Sequence, residues 1–155
     1  MAREIERKFL VKGTAWKRGA EGVRFRQGYL SSVKERTVRV RTEGPRAVLT
    51  IKGLTRGIER QEYEYSIPLA DANQMLDTLC ERPLIEKVRY MRTVGPHLWE
   101  LDEFLGDNQG LVIAEIELSS ADEAFEHPPW LGREVSGDPR YFNANLIHHP
   151  YGTWT

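Results

Sequence analysis

Cysteine is almost absent: Cys80 is the single thiol in 155 residues. One thiol excludes an intramolecular disulfide and a Cys-rich zinc site, which needs several thiolates, and it fits a reducing cytoplasm. Long apolar runs are missing too. None approaches the roughly 20 residues a membrane span requires, and the opening Met1-Ala2-Arg3-Glu4-Ile5-Glu6 is too charged for a signal peptide. A soluble, cytoplasmic protein with no membrane partner is therefore expected. Nor does one charge dominate: 22 Lys and Arg face 23 Asp and Glu, a net charge of −1. That balance implies no uniform basic patch and no nucleic-acid partner. No solenoid repeat, low-complexity linker or Walker-type loop occurs, since Lys52-Gly53 lacks both the preceding glycine spacing and a following Ser or Thr. One domain over residues 1–155 is expected, with a frayed tail after His149.

Alternation of period two is abundant, and it places neighbouring side chains on opposite faces of a strand. From Arg3 to Val11, Glu4, Glu6 and Lys8 share one face. Phe25 to Leu30 follows, then Thr37 to Thr42, where Arg39 and Arg41 alternate with Val38 and Val40. In Ala47 to Lys52, Thr50 and Lys52 oppose Leu49 and Ile51. Glu62 and Glu64 alternate with Tyr63 and Tyr65, and Lys87 and Arg89 with Val88 and Tyr90. Glu100 and Asp102 oppose Trp99 and Leu101, and Glu115 and Glu117 oppose Ile116 and Leu118. These segments make eight expected strands. Gly44-Pro45 and Gly95-Pro96 mark hairpins, and Gly106-Asp107-Asn108 a looser connection. Leu69 to Cys80 carries its apolar residues at helical spacing. Ser120-Ala121-Asp122-Glu123 predicts a capping box opening a short second helix that stops at Pro128-Pro129. Asp138-Pro139 predicts a third helix running to about Ile147.

The polar faces consist of like-charged pairs two residues apart, strand after strand. Such faces need opposite charges, a metal or an anionic ligand to be tolerable. Eight antiparallel strands can close into a barrel whose interior admits side chains or one small ligand. The expected fold is α+β dominated by β: a closed eight-stranded antiparallel β-barrel with a charged lumen and helices packed outside. Acidic pairs suit a hard divalent cation such as Mg2+ or Mn2+, while Lys8, Arg39, Arg41, Lys52, Lys87 and Arg89 suit phosphates.

At Glu4-Ile5-Glu6-Arg7-Lys8 the chain resembles the CYTH, or triphosphate tunnel metalloenzyme, superfamily. The resemblance extends through Arg26-Gln27-Gly28-Tyr29-Leu30, Arg39-Val40-Arg41, Thr50-Ile51-Lys52, Gln61-Glu62-Tyr63-Glu64, Glu86-Lys87-Val88-Arg89-Tyr90, Leu101-Asp102-Glu103-Phe104 and Ala114-Glu115-Ile116-Glu117. The family holds tripolyphosphatases, thiamine triphosphatases and a class of adenylyl cyclases, and this chain looks most like its small bacterial tripolyphosphatase-type members. The resemblance implies metal ligation by Glu4, Glu6, Glu115 and Glu117 and triphosphate binding by Lys8, Arg39, Arg41, Lys52, Lys87 and Arg89. It has Asp102, Glu62 and Glu64 complete the acidic side, and Tyr29 touch the substrate.

The expected activity is metal-dependent hydrolysis of a triphosphate, inorganic tripolyphosphate first. Positioning and charge stabilisation would carry most of it. Glu64 is a candidate general base, and Lys87 another if burial and neighbouring cations leave it neutral. Thiamine triphosphatase, adenylyl cyclase and a non-catalytic polyphosphate-binding module are the alternatives, and homodimerisation is left open. Cys80 reads as core packing, His148 and His149 as surface residues, and Trp16, Trp99 and Trp130 as cover for the barrel exterior.

Overall fold

The computed structural model describes residues 3–154; Met1, Ala2 and Thr155, within the expected domain, lie outside the described residues. Nine strands form in chain order: β1 (Arg3–Val11), β2 (Val23–Ser31), β3 (Arg36–Glu43), β4 (Arg46–Gly53), β5 (Glu59–Ser66), β6 (Ile85–Val94), β7 (His97–Phe104), β8 (Val112–Glu117) and β9 (Leu131–Glu134). All pair antiparallel, in the order β5-β4-β3-β2-β6-β7-β8-β1-β9, and β1 also pairs with β5, which closes the first eight into a barrel. The short β9 was not expected. It joins the same edge of β1 that β5 leaves free: β5 pairs with Arg3–Ile5 and β9 with Phe9 and Val11, across an irregularity between them.

The two proline-containing hairpins occur where the sequence places them. β3 ends at Glu43 and β4 begins at Arg46, while β6 ends at Val94 and β7 begins at His97. Gly44 and Gly95 have φ of 61° and 60°, a region closed to most L side chains, so glycine lets each chain reverse within two residues.

The helix α1 (Leu69–Thr78) packs outside β3 and β4, with Ala72 and Leu76 buried against Val40, Ala47 and Cys80. A second apolar layer surrounds β1, β7 and β8, where Phe9, Trp99 and Ile116 meet Trp130 and Phe125 of the 119–130 segment and Trp16 of the 13–20 segment. The tryptophans do cover the barrel exterior, and Cys80 is buried.

Three expectations about the remaining segments are corrected. The capping-box residues form a turn and not a helix. Glu123 accepts the Ser119 N–H at 2.6 Å, as a box residue reaching back would, but its other oxygen meets His97 Nε2 at 2.5 Å. The chain then extends so that Phe125 packs edge-on against Phe9 and Trp99. Burying that ring outweighs the few hydrogen bonds a helix could make before Pro128.

The predicted third helix is broken as well. Asp138 caps as expected, accepting the Arg140 N–H, but a single 3-10 turn (Pro139–Tyr141) follows. Phe142 is extended, with ψ of 131°, before α2 (Asn143–Leu146). In the tail, where fraying was expected, a 3-10 turn at Tyr151–Thr153 places Trp154 against Tyr141 and Tyr151, at 5.1 Å from each ring. Tyr141, Leu146 and Ile147 pack with Tyr29, Ile85 and Ile113 and close one end of the barrel. No helix among the described residues is long and apolar enough to cross a membrane.

Candidate active site in the barrel lumen

Register decides which residues share the lumen, because directly opposed residues of paired strands project to the same side. Lys8 stands opposite Glu115, which stands opposite Glu100; Arg39 opposes Thr50, and Lys52 opposes Glu62. The charged faces of all these strands thereby turn inward, around a cavity of about 450 Å³. That is the size of a small-molecule site, ~300–1,000 Å³.

One wall is carboxylate: Glu4 and Glu6 of β1, Glu62 and Glu64 of β5, Glu100 of β7, and Glu115 and Glu117 of β8. Ammonium groups separate these acids. Lys8 Nζ lies 3.3 Å from Glu6 and 3.5 Å from Glu115, and Lys52 Nζ lies 3.1 Å from Glu4 and 3.3 Å from Glu62. Burial pushes the Glu6 carboxyl well above its usual range, and the charge of Glu115 beside it adds to this. Burial alone would raise Glu115 too, but Lys8 and a hydrogen bond from Glu6 outweigh it and hold Glu115 well below. Burial also raises Glu4, against the opposing charge of Lys52.

The opposite wall is cationic. Arg39 and Arg41 of β3 are buried, and among the described residues the Nε of each has no hydrogen-bond partner. Arg41 reaches Glu43 and, at 4.0 Å, Glu64, whereas Arg39 has only the Thr50 hydroxyl at 3.4 Å among the described residues. Burial, together with the charges of Arg39 and Arg89, lowers Arg41 to about 10. The Phe25 ring forms a floor beneath Arg41 and Arg89, 4.9 and 4.7 Å from their guanidinium carbons; such contacts favour cations that have lost water.

Asp102 takes a different place from the one expected. It shares the lumen face with Glu100 and opposes Arg89, but it is fully buried beneath Arg89 and Lys87 and does not border the cavity. Arg89 Nε and Nη2 donate to its two oxygens at 2.7 and 2.8 Å, and Lys87 Nζ lies 2.7 Å from Oδ2. With both oxygens engaged it anchors two cations. Burial works against its charge, but Arg89 and Lys87 prevail and hold it at about 2. Burial lowers Lys87 to about 8 in spite of Asp102, so its ammonium is still the main form at neutral pH.

Every other residue singled out from the sequence lines the cavity, including Tyr29 near its closed end. Several lining residues were missed. Arg60 sits on the lumen face of β5, opposite Glu4, and is folded onto the Gly53 carbonyl by two hydrogen bonds of 3.0 and 3.2 Å. Extending the Glu62–Glu64 alternation back by two residues would have found it, and Glu100 was visible opposite Trp99. Asn143 of α2 carried no signal, because no strand periodicity reaches it.

Glu4, Glu6, Glu62, Glu115 and Glu117 are the oxygen donors available to a hard cation. Among the described residues no three acidic, histidine or cysteine side chains already converge as a ligand cluster, since Lys8 and Lys52 stand among them. The donor chemistry nonetheless fits a divalent cation, whose charge would offset the mutual repulsion of Glu6 and Glu115.

Comparison with known proteins agrees with this geometry. Over 151 residues the chain is 54% identical to a protein named inorganic triphosphatase from Acetivibrio thermocellus, covering 97% of each chain. It is 40% identical over 147 residues to one of the same name from Nitrosomonas europaea, covering 92% of this chain and 95% of that one. A crystal structure of an inorganic triphosphatase superposes with a TM-score of 0.67 at 36% identity, over 95% of both chains. Residues 2–151 match the CYTH domain, and with the closed barrel and its inward charges the chain belongs to the CYTH domain family.

Proposed function

We propose that this protein hydrolyses inorganic triphosphate to pyrophosphate and phosphate inside the barrel, with a divalent cation, Mg2+ or Mn2+. The observation that carries this reading is the pair of buried arginines, Arg39 and Arg41, whose unpartnered Nε groups border a cavity with a carboxylate wall opposite. A buried guanidinium short of acceptors is costly on its own. A polyphosphate supplies the missing acceptors. The names of the two relatives support the same substrate.

In this reading Arg39, Arg41 and Arg89 hold phosphate oxygens, and Lys8 and Lys52 turn from their carboxylates toward the substrate. Glu4, Glu6, Glu62, Glu115 and Glu117 would hold the cation, which when bound neutralises phosphate charge and polarises the bond to be broken. Lys87 supplies positive charge and a proton donor at the leaving phosphate. Because it stays largely protonated near pH 7, the base role falls to Glu64. That side chain is partly open to solvent and accepts from the Thr50 hydroxyl at 3.2 Å. Tyr29 borders the phosphates at the closed end.

The test is phosphate release by the purified protein from tripolyphosphate, ATP and thiamine triphosphate, with Mg2+, Mn2+ or excess chelator. Tripolyphosphate should be the fastest substrate, and chelator should stop the reaction. Faster turnover of ATP or thiamine triphosphate would move the assignment to another substrate. No release with any metal would leave anion binding without catalysis.

A further inference from the structure

We propose that Asn143, on α2, is a positioning residue for Lys87, so that docking of the C-terminal segment sets the aim of a cation inside the tunnel. The Lys87 ammonium is fully buried, and an ammonium has three N–H donors in tetrahedral directions. One points to Asp102 Oδ2 at 2.7 Å and a second to Asn143 Oδ1 at 3.2 Å. These two acceptors lie on separate elements, β7 and α2, and with the Phe104 ring 5.4 Å from Nζ they restrict the direction of the third donor of a side chain that borders the cavity.

The Asn143 amide is itself held in one orientation. Its Oδ1 also accepts from Gln27 Nε2 at 3.1 Å, on the fully buried Gln27 of β2. A lysine ammonium can only donate, so the oxygen and not the NH2 group of Asn143 must face it. Gln27 then presents its own NH2 to the same oxygen, which leaves Gln27 Oε1 without a partner. A buried acceptor left unpaired is a cost that simple packing would not select.

The segment that carries Asn143 is firmly seated. Leu146 is fully buried among the residues that close the barrel end, and Asn145 Nδ2 donates to the Pro139 carbonyl at 2.8 Å. Loss of the Asn143 acceptor would leave Lys87 tethered by Asp102 alone and free to turn about that bond.

This inference rests on the triphosphatase reading for its kinetic readout and is independent of it for a spectroscopic one. Full-length Asn143→Leu, Asn143→Asp and Gln27→Leu would be compared with wild type. Asn143→Leu should lower kcat for tripolyphosphate by about 10- to 100-fold and change KM by less than about threefold, since misaiming by an ångström is felt mainly in the transition state. Asn143→Asp, which keeps an acceptor oxygen, should recover most of the loss, and Gln27→Leu should fall between.

In protein labelled with 15N-lysine, the Lys87 ammonium signal, assigned with Lys87→Met, should shift or broaden in Asn143→Leu and return in Asn143→Asp. Wild-type kcat with an unmoved signal in Asn143→Leu overturns the proposal. Equal damage in Asn143→Leu and Asn143→Asp also overturns it, because packing would then be the whole role. Should Asn143→Leu not fold, Gln27→Leu decides: an unchanged kcat and signal there count against the relay. If wild type releases no phosphate, the triphosphatase reading falls by itself and the ammonium signal still judges Asn143.

Discussion

Asp102, Lys87 and Arg89 form a buried group in which one carboxylate holds two cations. Breaking such a group by removing one member leaves uncompensated charge, so Asp102→Ala should cost ~3–5 kcal/mol, read as a lowered Tm. The pH dependence follows the same contact. Asp102 titrates at about 2 in the folded protein against an ordinary 3.8. The folded state therefore gains from its charge above the ordinary value, and that gain is lost as pH falls through this interval toward 2. Acid titration of Tm should show an extra decline there that is missing from Asp102→Asn. Glu6 is opposite in sign: its pKa is raised by burial and by the charge of Glu115, so its charged form costs the folded protein stability. Glu6→Gln should raise Tm at pH 7 in chelator, by ~2–4 °C for each kcal/mol relieved, while abolishing phosphate release. A Tm that falls would show that Glu6 is paired well enough to be structural.

At the scale of elements, β2 and the end of α1 meet at a glycine. A Cβ on Gly28 would lie 2.7 Å from Leu84 Cδ2 and 2.8 Å from Cys80 Cβ, so the chain after the helix can approach the strand only because no side chain intervenes. Gly28→Ala should destabilise by ~1–3 kcal/mol through overpacking, detectable by urea unfolding, with little effect on KM because residue 28 faces away from the cavity. The strands were legible because each repeats one simple rule, alternation, over several residues. The 119–130 segment was not legible, since a capping box states only a local preference. Phe125 could bury itself against Phe9 and Trp99, which lie more than twenty residues away in sequence. The broken helix before Ile147 has the same origin: Asp138-Pro139 starts a turn, but closing the barrel end with Tyr141 and Leu146 requires the extended Phe142 between them.

For the molecule as a whole, charge is arranged so that the barrel's own groups satisfy one another imperfectly, with lysines among its carboxylates and two arginines short of acceptors among the described residues. Ligands that bind only the folded state should therefore stabilise it by mass action, about 2.7 kcal/mol at a concentration 100 times Kd. Tm should rise with tripolyphosphate in chelator, where turnover is absent, and rise separately with Mg2+ or Mn2+ alone. Arg39→Ala should remove most of the first rise and keep the second. Equal loss of both would mean that cation and anion share one set of residues.

The sequence by itself determined which faces carry charge, how many strands close the barrel, and most of the lysines, arginines and glutamates that meet in its lumen. All of these follow from a two-residue period and from the cost of like charges on one strand face. Only the tertiary structure decided that Asp102 is buried beneath Arg89 and Lys87 as their anchor, and that α2 seals one end and brings Asn143 to Lys87. Those outcomes depend on which strand lies beside which and on how the C-terminal segment packs, and such contacts between residues distant in the chain leave no periodic trace in it.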